Sequence, residues 1–159
     1  MNQLTHIDTN NRPTMVDVSD KEITERTASA EARVILGRTI AQLFDNGEIV
    51  TAKGPVFQTA IISGTAGAKK TPDLIPFCHP VGIDSCSIDI KLEEDVAVIT
   101  CEAKVRARTG IEMEAITGAT VAAITIYDMC KAVSHDITIS SVRLLKKTGG
   151  KNDFLRSKP

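Results

Sequence analysis

From Ala115 to Tyr127 the chain carries no charge, yet Glu112 and Glu114 stand just before this stretch and Asp128 and Lys131 just after it. Many residues here are β-branched, which favours a strand. The run 111–133 contains no turn signal, however, and is too long for an ordinary strand, so one helix is expected over 111–133. A helix that is apolar nearly all round is a buried one. Charges at the ends of a buried helix need partners, because a desolvated ion is costly unless it is paired. At the geometry of an α-helix, Glu114 and Asp128 fall within roughly 40° of the same face but about 21 Å apart along the axis. One helix cannot bring them together. Two antiparallel copies can, by setting Glu114 of one chain beside Asp128 and Lys131 of another, which points to an oligomer with shared sites.

At 159 residues the chain is long enough for one domain with a real core. With aromatics at 3% and no Trp, that core must be built from Ala, Ile, Val and Leu, and stacking platforms for nucleic-acid bases are disfavoured. A net charge of −1 offers no global attraction to nucleic acid or a membrane. The cysteines Cys78, Cys86, Cys101 and Cys130 form no CxxC pair, which weakens a structural zinc site. The first residues are polar, no signal-type apolar segment is evident, and no run approaches the length of a membrane span. A cytoplasmic protein with reduced thiols is the simplest expectation.

Along the chain, 1–13 reads as a flexible N-terminal arm, 14–148 as a single catalytic α+β domain and 149–159 as a flexible tail. A short strand is expected over 15–18 and a longer, half-exposed one over 25–35, where polar and apolar residues alternate. Ile40, Leu43 and Phe44 have helical spacing, so a helix is expected over 37–44, ended by Asn46-Gly47. Pro55 suits the first turn of a second helix over 56–70, and Lys69 and Lys70 suit the negative end of its dipole. Three prolines make 71–80 irregular. The segments 83–92 and 96–106 read as a hairpin turning at Glu94-Asp95, and 137–145 as a last strand. An antiparallel sheet covered on one face by helices accommodates this order.

Four constellations could carry chemistry. His79 lies in a loop between prolines, which gives a proton-transfer group a defined direction; a plainly packed loop is the alternative. Asp128 and Lys131 face the same way at i,i+3 and suit acid–base work, or form a structural ion pair. Glu112 and Glu114 complement the helix dipole, and their spacing sends them to different faces, so no more than one should line a given site. Lys53, in a Lys-Gly-Pro turn just before a helix N-terminus, suggests an anion site.

The runs LIPFCHP at 74–80, TGIEMEA at 109–115 and TIYDMCKAV at 125–133 resemble the signatures of the cyclic pyranopterin monophosphate synthase family of molybdenum-cofactor biosynthesis. The resemblance extends to LTHID near the start, MVDVS at 15–19, the Lys53-Gly54 turn and VRLLKKTGGK at 142–151. It implies a ferredoxin-like α+β sandwich, assembled as a homohexamer (a trimer of dimers) with sites at the dimer interface. It implies an enzyme, a phosphorus–oxygen lyase, that converts (8S)-3′,8-cyclo-7,8-dihydroguanosine 5′-triphosphate to cyclic pyranopterin monophosphate and releases pyrophosphate. By motif, Asp128, Lys131 and Lys53 fall on the catalytic positions. Phe77, Cys78, His79, Met113 and Glu114 fall on the substrate-binding positions, with Lys69 as a phosphate contact. No cofactor and no protein-held metal are implied, although Mg²⁺ could accompany the triphosphate. Pro55 and Phe77 depart from the family pattern and alter shape near the site. A nucleotide sensor on the same fold is the alternative; the paired acid and base argue against it, since binding alone does not require them.

Overall fold

A computed structural model describes residues 10–157. In chain order its elements are β1 (Thr24–Ile35), α1 (Arg38–Ala41), β2 (Phe44–Asp45), β3 (Glu48–Thr51), β4 (Gly54–Pro55), α2 (Val56–Lys69), α3 (Thr71–Leu74), β5 (Ser85–Glu93), β6 (Val96–Ala107), α4 (Glu112–Cys130), β7 (Thr138–Thr148) and β8 (Phe154–Leu155). The strands β5-β6-β1-β7-β8 form one sheet in that order, every neighbouring pair antiparallel. Helices α2 and α4 cover one face of it, giving the α+β sandwich expected from the residue pattern and the ferredoxin-like form that the resemblance implies.

The alternation read in β1 sets the two faces. Ala28, Ala30, Ala32 and Val34 point into the core beside Ile99, Cys101, Ala103 and Val105 of β6, all buried. The opposite face is polar and uncovered: Glu31 bonds Arg143 at 2.8 Å, Arg33 bonds Glu93 at 2.9 Å and Lys104 meets Glu25 at 2.8 Å. Alanines on the inner face let the helices settle close. Between α2 and α4 the approach is closer still. A Cβ at Gly64 would stand 2.7 Å from the Gly118 carbonyl and 3.0 Å from Ala122 Cβ, and one at Gly118 would stand 2.8 Å from Cys101 Sγ. Ser63 and Thr125 hydroxyls bond across the same seam at 2.6 Å. Residue numbers rise along α2 as their partners fall along α4, so the two helices run antiparallel.

Four expectations change. The segment 15–18 joins no sheet; it lies against the loop at His79, whose Nε2 donates to the Val16 carbonyl at 2.7 Å. The helix expected over 37–44 is one turn, because Asn46-Gly47 is a hairpin turn rather than a helix end. Both residues have positive φ (49° and 86°), the geometry that joins twisted strands, and this draws Phe44–Asp45 into pairing with Glu48–Ile49. Within the irregular 71–80, Thr71–Leu74 makes a turn of helix with Pro72 at its start. The tail expected to be loose from 149 folds back. The Gly149 N–H donates to Asp153 Oδ1 at 3.1 Å, and Phe154–Leu155 pair with Lys146–Lys147 as β8. Residues 1–9 of the expected arm and 158–159 of the tail lie outside the described residues. Among the described residues no helix is long and apolar enough to cross a membrane.

Candidate active site

The antiparallel pairing of α2 and α4 sorts the candidate residues into two groups, one at each end of α4. At its C-terminal end, Asp128 and Lys131 come from consecutive turns and Lys53 from the β3–β4 turn. Lys53 Nζ lies 2.7 Å from Asp128 Oδ2, and Lys131 Nζ lies 2.7 Å from Asp128 Oδ1. Lys53 Nζ also donates to the Asp128 main-chain carbonyl at 2.9 Å, so one ammonium serves the carboxylate and an orphan acceptor of the helix end. The turn is held by the Lys53 N–H donating to Thr51 Oγ1 at 3.2 Å and by Gly54 at φ 108°. All three side chains are near half exposed. The hydrogen bonds from Lys131 and then Lys53 hold the Asp128 carboxyl down at about 2. The same bond raises Lys131 above its ordinary value. Two cations share one anion, which leaves a net positive centre able to receive a phosphate oxygen or release a proton.

The N-terminal end of α4 is a cleft of about 280 Å³, walled by Phe77, Cys78 and His79 on one side and by Glu112, Met113 and Glu114 on the other. Glu114 is 3% exposed, and burial raises its carboxyl, with a smaller push from Glu112. Burial likewise raises the Cys78 thiol, followed by the nearby Glu114 charge. A carbonyl can only accept, so His79 carries its proton on Nε2 toward Val16, and Nδ1 is the nitrogen left for a ligand. Both glutamates line the cleft, against the expectation that only one would. The cleft lies across the helix end, where the preceding loop lets Glu112 turn back to meet Lys147 Nζ at 3.0 Å. A second hollow of about 270 Å³ shares His79, Thr109 and Gly110 with the first and adds Lys21, Arg26 and Arg108. Of these, Lys21 and Arg26 are not singled out by the sequence. Main-chain carbonyls brought from afar order them: Arg26 donates to those of Ala107 and Arg108, and Arg108 to that of Lys21, each at 3.1 Å. No local signal in the sequence marks this convergence.

Lys69 ends α2 at the Glu114 end of the helix layer, and it lines neither hollow. The anion site expected from Lys53 and the start of α2 is not open. The Glu48 carboxylate already takes the Phe57 and Gln58 N–H groups there, at 2.7 and 3.0 Å. Among the described residues no group of three or more His, Cys, Asp or Glu could hold a metal ion.

The model of the MoaC family matches residues 15–150, which include both groups. This chain belongs to the MoaC family. Over 154 residues it is 52% identical to the cyclic pyranopterin monophosphate synthase of Xanthomonas campestris pv. campestris, covering 96% of this chain and 93% of that protein. It is 48% identical to molybdenum cofactor biosynthesis protein 1 of Drosophila melanogaster, covering 99% of this chain and 28% of that one. A bifunctional molybdenum cofactor biosynthesis protein of Synechocystis is 47% identical, over 94% of this chain and 44% of its own length. MoaC-family membership and the two clusters thus coincide in one chain, with each cluster built from elements inside the matched span.

Proposed function

We propose that this chain is a phosphorus–oxygen lyase of molybdenum-cofactor biosynthesis. It converts (8S)-3′,8-cyclo-7,8-dihydroguanosine 5′-triphosphate to cyclic pyranopterin monophosphate and pyrophosphate. The observation that carries the proposal is the Lys53–Asp128–Lys131 cluster in a MoaC-family chain that also has a cleft of about 280 Å³ beside a basic hollow. Phe77, Cys78, His79, Met113 and Glu114 take the base, with buried Glu114 meeting its polar edge. Lys69 lines neither hollow and is assigned to the phosphates from the family motif, while Lys21, Arg26 and Arg108 offer further positive charge to them. Lys131, Lys53 and Asp128 move protons while the rings open and reclose. A ribose-derived hydroxyl then attacks the α-phosphorus. Its O–H proton passes to a base, the new P–O bond closes the cyclic phosphate, and the bond to the β-phosphate breaks to release pyrophosphate. Positive charge around the transferring phosphorus lowers that barrier. No cofactor takes part in these steps, and any Mg²⁺ would arrive with the triphosphate. We assign catalysis to residues 14–148 and the protein to the cytoplasm.

We further propose a homohexamer, a trimer of dimers, with each site shared across a dimer interface. The two half-sites lie about 21 Å apart along one helix. The outer side of the helix layer has no charge over 56–68 or 115–127, and it exposes Ile62 at 71% and Ile124 at 54%. A contiguous apolar surface of this kind favours burial. An antiparallel second copy would cover it and bring Glu114 of one protomer to the Lys53–Asp128–Lys131 cluster of its partner.

The decisive experiment incubates the purified protein with the cyclic dihydroguanosine triphosphate and follows pyrophosphate and pterin together. Equal amounts of both are expected. Tight binding without release of either would overturn the lyase and leave a sensor.

A further inference from the structure

Lys53 sits at the tip of the turn between the last two strands of a small three-stranded sheet, β2-β3-β4. β3 has four residues and β4 two, and their pairing is Val50 with Pro55 and Thr51 with Gly54. So small a ribbon is marginal by itself. Pro55, at the N-cap of α2, has no side-chain acceptor for the first helical N–H groups. A residue from β3 does that work instead. Glu48 Oε1 accepts from the Ile49 and Phe57 N–H groups at 2.8 and 2.7 Å, and Oε2 accepts from Gln58 N–H at 3.0 Å. Phe57 and Gln58 are the second and third residues of α2, the positions an N-cap side chain normally serves. A negative charge there also complements the helix dipole.

We propose that Glu48 is a positioning residue for Lys53: its carboxylate ties the strand entering the Lys53 turn to the helix leaving it, and so aims the ammonium at Asp128. This rests on the reading of Lys53 as a catalytic group. Segment 48–57 is closed at its base by these bonds and at its tip by Lys53 Nζ on Asp128. Phe57, buried, meets the Phe44 ring at 6.0 Å between centroids, which anchors the base of the closed segment to β2. If the carboxylate is removed, three N–H groups lose their acceptor, and Lys53 is aimed only by the short ribbon, the Thr51 bond and its own bonds to Asp128.

The test compares Glu48→Ala, Glu48→Gln and a core control, Ile99→Ala, in the full chain. The first readout is turnover. The second needs no substrate: the rate at which each lysine is acylated by a water-soluble anhydride, mapped by mass spectrometry. In Glu48→Ala, kcat should fall about 10-fold or more with KM changed far less, since a misplacement near 1 Å costs on this scale. Acylation of Lys53 should rise while that of Lys91 and Lys104 does not. Glu48→Gln keeps one acceptor and should show both effects more weakly, and it carries the test if Glu48→Ala does not fold. Ile99→Ala should lose stability with no change at Lys53. Unchanged acylation of Lys53 in the Glu48 variants would overturn the proposal whatever happens to kcat. So would a rise in acylation with kcat held within about two-fold of wild type. A wild-type protein without turnover would refute the lyase and leave the acylation comparison intact.

Discussion

Asp128 and Glu114 are carboxylates on the same helix, and the fold treats them in opposite ways. Asp128 stands half in solvent between two ammonium groups, and its carboxyl is held down at about 2. Glu114 is buried at the other end, and its carboxyl is raised by the loss of water. Their effects on stability therefore have opposite signs. Asp128 titrates lower in the folded state than its ordinary 3.8, so its contribution is complete above that value and is lost as pH falls toward about 2. Glu114 titrates above its ordinary 4.5 in the folded state, so folding is favoured most below that value and is weakened as pH rises past it. One end of α4 is thus a stable ionic centre suited to holding and passing protons. The other is a strained acid that gains by meeting a ligand able to donate a hydrogen bond, which is what a binding site requires.

The largest break in this comparison should come from Lys131→Ala. Steady-state rates should fall about 1,000-fold, the scale of general acid–base catalysis, while size-exclusion chromatography shows the assembly intact; a near-normal rate would remove Lys131 from the chemistry. Mixing Glu114→Ala with Asp128→Ala protein tests whether the two ends work together across chains. After subunit exchange, random pairing in a two-fold dimer should restore about a quarter of the sites, and no recovery would mean that each chain works alone. Glu114→Gln should raise KM about ten-fold, the cost of losing a hydrogen bond to a charged group. It should also raise the melting temperature at pH 7, with the gain shrinking as pH falls toward 4.5; a gain that grows toward acid would contradict the raised titration of Glu114. Gly64→Ala leaves both ends alone and overpacks the middle of the helix pair, costing about 1–3 kcal/mol in denaturant unfolding. Retained stability there would mean that the seam can open.

Much of this architecture is legible in the residues. The alternation in β1, the hairpin at Glu94-Asp95 and the charge-free 115–127 each state which side faces the core, because burial imposes a period that the local pattern must obey. Asp128 and Lys131 were recognisable as a pair for the same reason, since i,i+3 contact is a property of one helix. Where a local pattern supports two structures, it does not decide between them. Leu43 and Phe44 have helical spacing, yet the positive φ at Asn46 and Gly47 makes a hairpin of the following residues. The helix N-terminus beside Lys53 looked open to an anion because nothing nearby in the sequence names Glu48 as the group that fills it.

The sequence by itself determined the sheet, its buried face, the apolar helix and the identity of the groups able to do acid–base work, since each follows from composition and period over a few residues. Only the tertiary structure decided which groups meet. Lys53 reaches Asp128 across 75 positions, and Arg26 reaches Ala107 across 81. Contacts of this kind follow from the order of strands and the close antiparallel seating of α2 on α4. Such an arrangement minimises the energy of the whole chain and leaves no trace in the pattern of any one segment.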